Sequence, residues 1–353
     1  MQKTDVGVFV PENTNALFHF HFTRCGLSGF TVYNNLEPFR NSKHAYKIAC
    51  LQMPYPIRSE FDNEITDLTG FADHVLILMS ELHDRTIEIV QRHDHPRVSY
   101  FICGDFNFDL DHSPVHKFYD WFTTTVHFYR FVRPETLDVL NPYAVKPYFF
   151  DALLGRKKNH RDFAFARLDP AKNIVRYLGQ INNNNFDDPD KWVWEDEGLE
   201  RDRPVEWTVE QFKYYGYRMS ISQIIPLSVY NQTAYTLIAE TNHSNHYSFY
   251  TEKTVKPILG SRLFVCLSGQ GALQNLRNLG FKTFDGIIDE SYDSMSDFEK
   301  RCSLAMDQVK LLEQQPQAEI LEKVKPIVEH NRNLMLSTAW YDQYFRPAFA
   351  SYF

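Results

Sequence analysis

Short apolar runs of strand length, each nearly continuous in hydrophobicity, recur along the chain and limit the folds open to it. VGVFV (Val6 to Val10), YKIACLQM (Tyr46 to Met53), HVLILM (His74 to Met79) and SYFICG (Ser99 to Gly104) fall within the first 150 residues. A strand with one wet face alternates apolar and polar residues. A run that is apolar throughout is buried on both faces, as parallel strands are. Between the last two runs, Leu82, Ile87 and Val90 recur at helical spacing within Ser80 to His93, which predicts a β-α-β unit. A second series follows: YFFDALLG (Tyr148 to Gly155), a helix-like HRDFAFARL, IVRYLG (Ile174 to Gly179), AYTLIAET (Ala234 to Thr241), a helix, and RLFVCLSG (Arg262 to Gly269). The expected fold class is α/β, in two halves with parallel sheets.

At 353 residues the chain is long enough for two cores rather than one. The boundaries expected are 1–147, 148–315 and 316–353, the last a set of helices bracing the junction. From Ser296 onward the pattern is helical, with Phe298, Cys302, Ala305, Val309 and Leu312 on one stripe and Ile320, Val324, Ile327 and Leu334 on another, and with Glu319 and Lys323 as a favourable pair. The stretch 181–203 holds eight acids against three bases and reads as a solvated insertion. The five cysteines are odd in number, scattered and without a C-x-x-C pair, which argues against a disulfide framework or a zinc ribbon. No apolar run approaches the roughly 18 residues of a spanning helix, so no membrane association is expected and the location reads as cytoplasmic. The net charge of −8 supplies no global field for nucleic acid.

Within ICGDFNFDLDHSPVH lies Gly104-Asp105-Phe106-Asn107, the signature of metal-dependent nucleases and phosphatases. There the motif works with an Asp-His pair on the far side of the phosphate. The one candidate pair, Asp111-His112, begins six residues after Asp105, too near to reach round a phosphate. The nuclease reading is therefore the weakest. Gly104 suits a tight turn and Asp105 and Asn107 suit turn and cap positions, in a loop that faces the crevice of an open sheet.

Two segments of the second half fit one ligand. In ALLGRKKNHRDF a strand ends at Gly155, and a loop carrying Arg156, Lys157, Lys158, His160 and Arg161 enters a helix. Glycine admits close approach, cations clamp phosphate oxygens, and a helix start adds partial positive charge. The bland alternative is a solvated basic turn. In ETNHSNHYSFYTEKTVKPILG, Glu252 and Lys253 stand at a helix start, the acid suited to hydroxyls and the base to a diphosphate. Pro257 implies a short or kinked helix.

Phe249-Tyr250-Thr251-Glu252-Lys253, followed by Lys256-Pro257-Ile258, resembles the donor-binding region of GT-B glycosyltransferases, nearest to the Tyr-x-Thr-Glu-Lys segment of the α1,3-fucosyltransferase family. Residues 145 to 295 also resemble glycosyltransferase-like proteins of large tailed phages. The resemblance implies two Rossmann-like domains facing a cleft, and a metal-independent enzyme without cofactor that moves a sugar from a nucleotide-sugar donor to an acceptor hydroxyl. The acceptor would be a glycan or a modified DNA base; the negative charge favours the glycan. Donor-binding residues would be Gly155, Arg156, Lys157, His160, Arg161, Glu240, Ser248, Tyr250, Thr251, Glu252 and Lys253. An inverting enzyme needs a general base in the first domain. Glu12, Glu81, His83, Asp84, Asp105 and Asp109 are available, with Glu81 and Asp105 preferred. The runner-up is a non-catalytic nucleotide-sugar or glycan-binding module on the same fold. HFH (His19 to His21), His112 with His116, and His243 with His246 invite a metal reading, but none has three ligands at a recognisable spacing, and no metal site is expected.

Overall fold

Burial explains which apolar runs become strands. The computed structural model describes residues 5–53, 60–80, 84–106, 110–177, 206–207, 211–214, 217–244 and 247–353. β1 (Val6–Phe9), β2 (Thr31–Tyr33), β3 (Tyr46–Gln52), β4 (His74–Met79), β5 (Val98–Cys103) and β6 (Val115–Phe118) form one sheet. Its order is β2-β1-β3-β4-β5-β6, and every neighbouring pair is parallel. β5 is buried at every residue, whereas the edge strand β2 has no buried residue. The run SYFICG is therefore conspicuous in sequence and TVY is not. Helices α1 (Asn15–Cys25), α2 (Leu36–Asn41), α3 (Glu60–Thr69) and α4 (Asp84–Arg92) link successive strands as far as β5. Such crossovers return the chain to the starting edge, which is what makes neighbouring strands parallel.

After α5 (Asp120–His127) the second series begins with β7 (Tyr148–Leu154), α6 (Asn159–Phe165) and β8 (Ile174–Tyr177). β9 (Glu206–Trp207), β10 (Gln211–Tyr214) and β11 (Tyr217–Ser220) pair antiparallel in a small separate sheet that no apolar run announced. α7 (Leu227–Gln232), β12 (Thr233–Ala239), α8 (Glu252–Leu259) and β13 (Phe264–Leu267) complete a parallel sheet of order β13-β12-β7-β8. α9 (Ala272–Asn278), α10 (Phe298–Leu312), α11 (Gln317–Ser337) and α12 (Arg346–Ala350) follow. α10 buries Cys302, Ala305, Val309 and Leu312. α11 buries Ile320, Val324, Val328 and Met335, so its inner face is rotated from the stripe that Ile327 and Leu334 suggested.

The fold is thus α/β with parallel, Rossmann-like sheets. One unit comprises Met1–Asp120 with Ala339–Phe353, and the other Trp121–Thr338. The division falls at α5 rather than near 147, and residues 316–353 are shared between the units rather than standing apart. The acidic stretch 181–203 lies outside the described residues. No described helix is long and apolar enough to cross a membrane. All five cysteines are free thiols.

A buried ion pair locks the second sheet. Arg262, just before β13, donates from Nη2 to Asp151 Oδ1 of β7 at 2.9 Å, and its other bonds reach Thr236 Oγ1, Tyr230 O, Thr233 O, Thr233 Oγ1 and Tyr235 O. Both side chains are almost wholly buried. Removing the carboxylate alone strands a buried guanidinium charge, so Asp151→Ala should cost about 3 to 5 kcal/mol in urea unfolding. An effect below about 1 kcal/mol, the size of an exposed pair, would show the site to be solvated.

Candidate functional site

Strand order locates the crevice of the second sheet. From β7 the chain runs outward to β8, then returns to add β12 and β13 on the other side. The loops leaving the carboxyl ends of β7 and β12 therefore diverge, and ligands of open α/β sheets bind at such a reversal. One loop carries Gly155 to Lys158 into α6; the other carries Glu240 to Thr251 into α8.

Glu240 has no solvent exposure. Its carboxylate accepts from Thr251 N at 3.0 Å, Thr251 Oγ1 at 2.7 Å, Thr254 Oγ1 at 2.6 Å and Thr241 N at 3.0 Å. A buried carboxylate is tolerable when donors and a helix start surround it in this way. Its backbone carbonyl accepts from His160 Nε2 at 2.7 Å and Arg161 Nη2 at 3.3 Å. Arg161 further donates to Arg156 O at 2.8 Å and Ala239 O at 3.3 Å. A Cβ on Gly155 would stand 3.2 Å from Arg161 Nη1, so this glycine makes room for the arginine. Gly269 serves the same end after β13: a Cβ there would meet Ser244 O at 2.1 Å.

Cations gather around this framework. Lys158 Nζ donates to Thr241 O at 2.6 Å, and Lys253 Nζ lies 3.4 Å from Thr241 Oγ1 and 2.6 Å from Glu252 Oε1. Arg301 of α10 donates to Ser268 O at 3.0 Å and His243 O at 3.2 Å, tying the loops after β13 and β12 together. Lys256 is buried with Nζ 2.6 Å from Ser222 O. Burial pushes its ammonium down to about 8, against the attraction of Glu252. Burial alone would raise the Glu252 carboxyl, but Lys253 and Lys256 together hold it below its ordinary value.

The two histidines report the local field. The rings of His160 and His243 stand 4.6 Å apart at 30°. Burial lowers both; Arg161 and Lys158 press in the same direction on each, and Arg301 adds to this at His243. Both are neutral near pH 7, so the Nε2–H of His160 is the donor to Glu240 O. Lys158, Arg161, Lys253 and Lys256 then stand against Glu240 and Glu252, while Asp293 and Asp297 act on Arg301, which leaves a positive excess at the loops in a chain of net charge −8. Such a site attracts anions.

The structure thus brings Gly155, His160, Arg161, Glu240, Thr251, Glu252 and Lys253 together. It does not bring all the expected residues in. Arg156 and Lys157 are exposed on their loop. Tyr250 is buried and donates to Ala272 O at 2.6 Å, and buried Ser248 accepts from Asn275 Nδ2 at 2.9 Å, so both serve the framework. Thr241 and Arg301 were not selected from sequence, and Lys158, His243 and Lys256, though read within their segments, were not placed among the donor-binding residues. Lys256, one helical turn beyond Glu252, carried a local signal; Arg301 carried none. Among the described residues no group of three His, Cys, Asp or Glu could hold a metal.

Of the first-unit candidates, Glu81, His83 and Asp109 lie outside the described residues. Asp105 is buried, ion-paired with Lys117, and accepts from Tyr119 Oη at 3.3 Å. Asp94 accepts from the amides of Asp111 at 2.8 Å, His112 at 3.0 Å and Ser113 at 2.6 Å. Asp105 follows the carboxyl end of β5, while Asp111 and His112 precede the amino end of β6. These strands are parallel, so the halves of the supposed nuclease site lie at opposite ends of the sheet, roughly 20 Å apart for a strand of this length. Compared with known proteins, the chain matches no family model, no curated protein and no solved structure.

Lys256 gives a test by pH. Its value falls from 10.5 to about 8 on folding, so between those limits the unfolded chain holds a proton that the folded chain has released. Stability rises with pH wherever the unfolded state binds more protons. Wild type should therefore gain stability relative to Lys256→Met across that window, as read from urea midpoints at each pH. A constant difference between the two proteins would place the ammonium in water.

Proposed function

We propose that the chain is a GT-B glycosyltransferase that moves a sugar from a nucleotide-sugar donor to an acceptor hydroxyl, holding the donor's diphosphate at the carboxyl ends of β7 and β12. The observation that carries this reading is the excess of cations at the strand-order reversal of an acidic chain. Lys158, from the loop after β7, and Lys253, from the start of α8, converge on Thr241, and their ammonium groups would take the phosphate oxygens. Glu252, ion-paired to Lys253, would hold that lysine in place and offer its second oxygen to a donor hydroxyl. Arg161 and His160 would support the loops through carbonyls rather than touch the ligand. The leaving diphosphate gains charge as the glycosidic bond breaks, so a cation there counts for more in the transition state than in the ground state. Net negative charge favours a glycan over DNA as acceptor.

One observation favours a non-catalytic nucleotide-sugar-binding module instead. Asp105, an expected base, is engaged by Lys117 and Tyr119. Calorimetry against UDP, GDP, ADP and CMP sugars, with release of the nucleotide followed in parallel, separates the readings. For an enzyme, one donor class binds, the nucleotide is released, and Lys253→Ala lowers turnover more than affinity. Lys158→Ala should weaken binding by about 1.5 to 3 kcal/mol. Binding without release selects the module. No binding by any donor, or binding indifferent to both substitutions, refutes the site.

A further inference from the structure

His243 is fixed in place at the carboxyl end of β12 while its ring nitrogens are left unused. Its backbone carbonyl accepts from Arg301 Nη2 at 3.2 Å. Its ring packs on His160 at 4.6 Å and on Phe298, the first residue of α10, at 5.2 Å. Buried Asn242 beside it shapes the loop, donating to Tyr247 O at 2.8 Å and accepting from Ser244 N at 3.0 Å. The His243 side chain is partly exposed, and among the described residues neither of its ring nitrogens has a hydrogen-bond partner. The neighbouring ring shows the same feature at full burial: His160 Nε2 bonds to Glu240 O, but Nδ1 has no partner. Buried polar atoms are left unsatisfied only rarely, and an ion-binding or catalytic role is among the reasons.

The geometry assigns His243 as a third contact for the donor's phosphates, beside Lys158 and Lys253, and one that takes up a proton as the anion binds. This rests on the donor-site reading above. Thr241, on which both lysines converge, stands two residues before His243. The groups facing the ring come from three elements. Lys158 lies on the loop after β7, His160 and Arg161 on α6, and Arg301 with apolar Phe298 on α10. Asp293 and Asp297 act on Arg301. Burial first, then Lys158, Arg301 and Arg161, keep the ring neutral in the free protein. A bound phosphate answers those cations, so a charge that they repelled becomes one that the anion attracts. The ring then takes one proton from solvent and donates an N–H to a phosphate oxygen, a charge-assisted bond. No covalent bond changes.

The test uses the full chain and whichever nucleotide sugar from the panel it binds. The phosphates of such donors are diesters and exchange no proton near neutral pH, so any uptake belongs to the protein. Calorimetry in two buffers of different ionisation enthalpy, at about pH 6.5 where an ordinary imidazole is half charged, counts the protons. Lys256, at about 8, is already charged there. Wild type should take up roughly half a proton or more per donor bound, and its affinity should fall as pH rises toward about 8, because the bound form holds the extra proton. His243→Gln should abolish the uptake and weaken binding about tenfold at about pH 6, with the two proteins within about threefold of each other at about pH 8.5. A ring that only packs the loop against α6 and α10 gives no uptake in wild type and a loss in His243→Gln that does not change with pH. Either result overturns the assignment, as does uptake that survives in His243→Gln. Should that variant not fold, His243→Asn supplies the comparison, and a wild type that binds without uptake is decisive by itself. Binding that Lys158→Ala weakens but that takes up no proton removes His243 alone. A chain that binds no nucleotide sugar removes the donor site and this contact together.

Discussion

Glu240 occupies the end of β12 without solvent exposure, and an ionised carboxylate in that position must be met by donors or it destabilises the fold. Four donors meet it. Three come from the turn that starts α8, through Thr251 and Thr254, and one is the amide of Thr241. This single group sets where α8 begins. Through its carbonyl it also receives His160 and Arg161 from the loop after β7. Two loops with no sequence proximity thus share one anchor.

The anchor has an electrostatic consequence. Burying one negative charge at a helix start permits several positive groups nearby, and Arg161, Lys158 and Lys253 all lie within one or two bonds of Glu240 or Thr241. Lys256 and Arg301 extend the positive region on buried side chains whose donors reach carbonyls. Their fixed positions cost desolvation, visible in the lowered ammonium of Lys256 and the neutral histidines. Cations that are already desolvated and oriented need little reorganisation when an anion arrives. Lys158 and Lys253 differ from the rest in keeping partial exposure, so they are the groups an anion can reach.

The parallel strands were legible because continuous apolar runs leave few alternatives. The weak strands were not: β2 is exposed, β6 reads VHKF, and β9 to β11 carry no run. Loop position was legible too, since a glycine followed by charges after an apolar run marks a carboxyl end. Roles within the loops were less so. Arg161 resembles a phosphate ligand in sequence, yet its guanidinium is spent on the carbonyls of Arg156, Ala239 and Glu240. Tyr250 and Ser248 fit a motif and serve the framework. Sequence shows which donors exist; only the fold shows which acceptors have already claimed them.

Both sheets obey the same strand logic with different chemistry. The first reverses between β1 and β3, the second between β7 and β12. At the second sheet's edge the loops concentrate ammonium and guanidinium groups, which suit charge. At the first sheet's edge an amide, a hydroxyl and a carboxylate, Gln52, Ser80 and Asp120, bond to one another in a chain. Among the described residues of that edge, Lys117 is paired with Asp105. The same strand logic thus carries a cluster of cations on one unit and a chain of amide, hydroxyl and carboxylate on the other, because the loops differ and that logic does not.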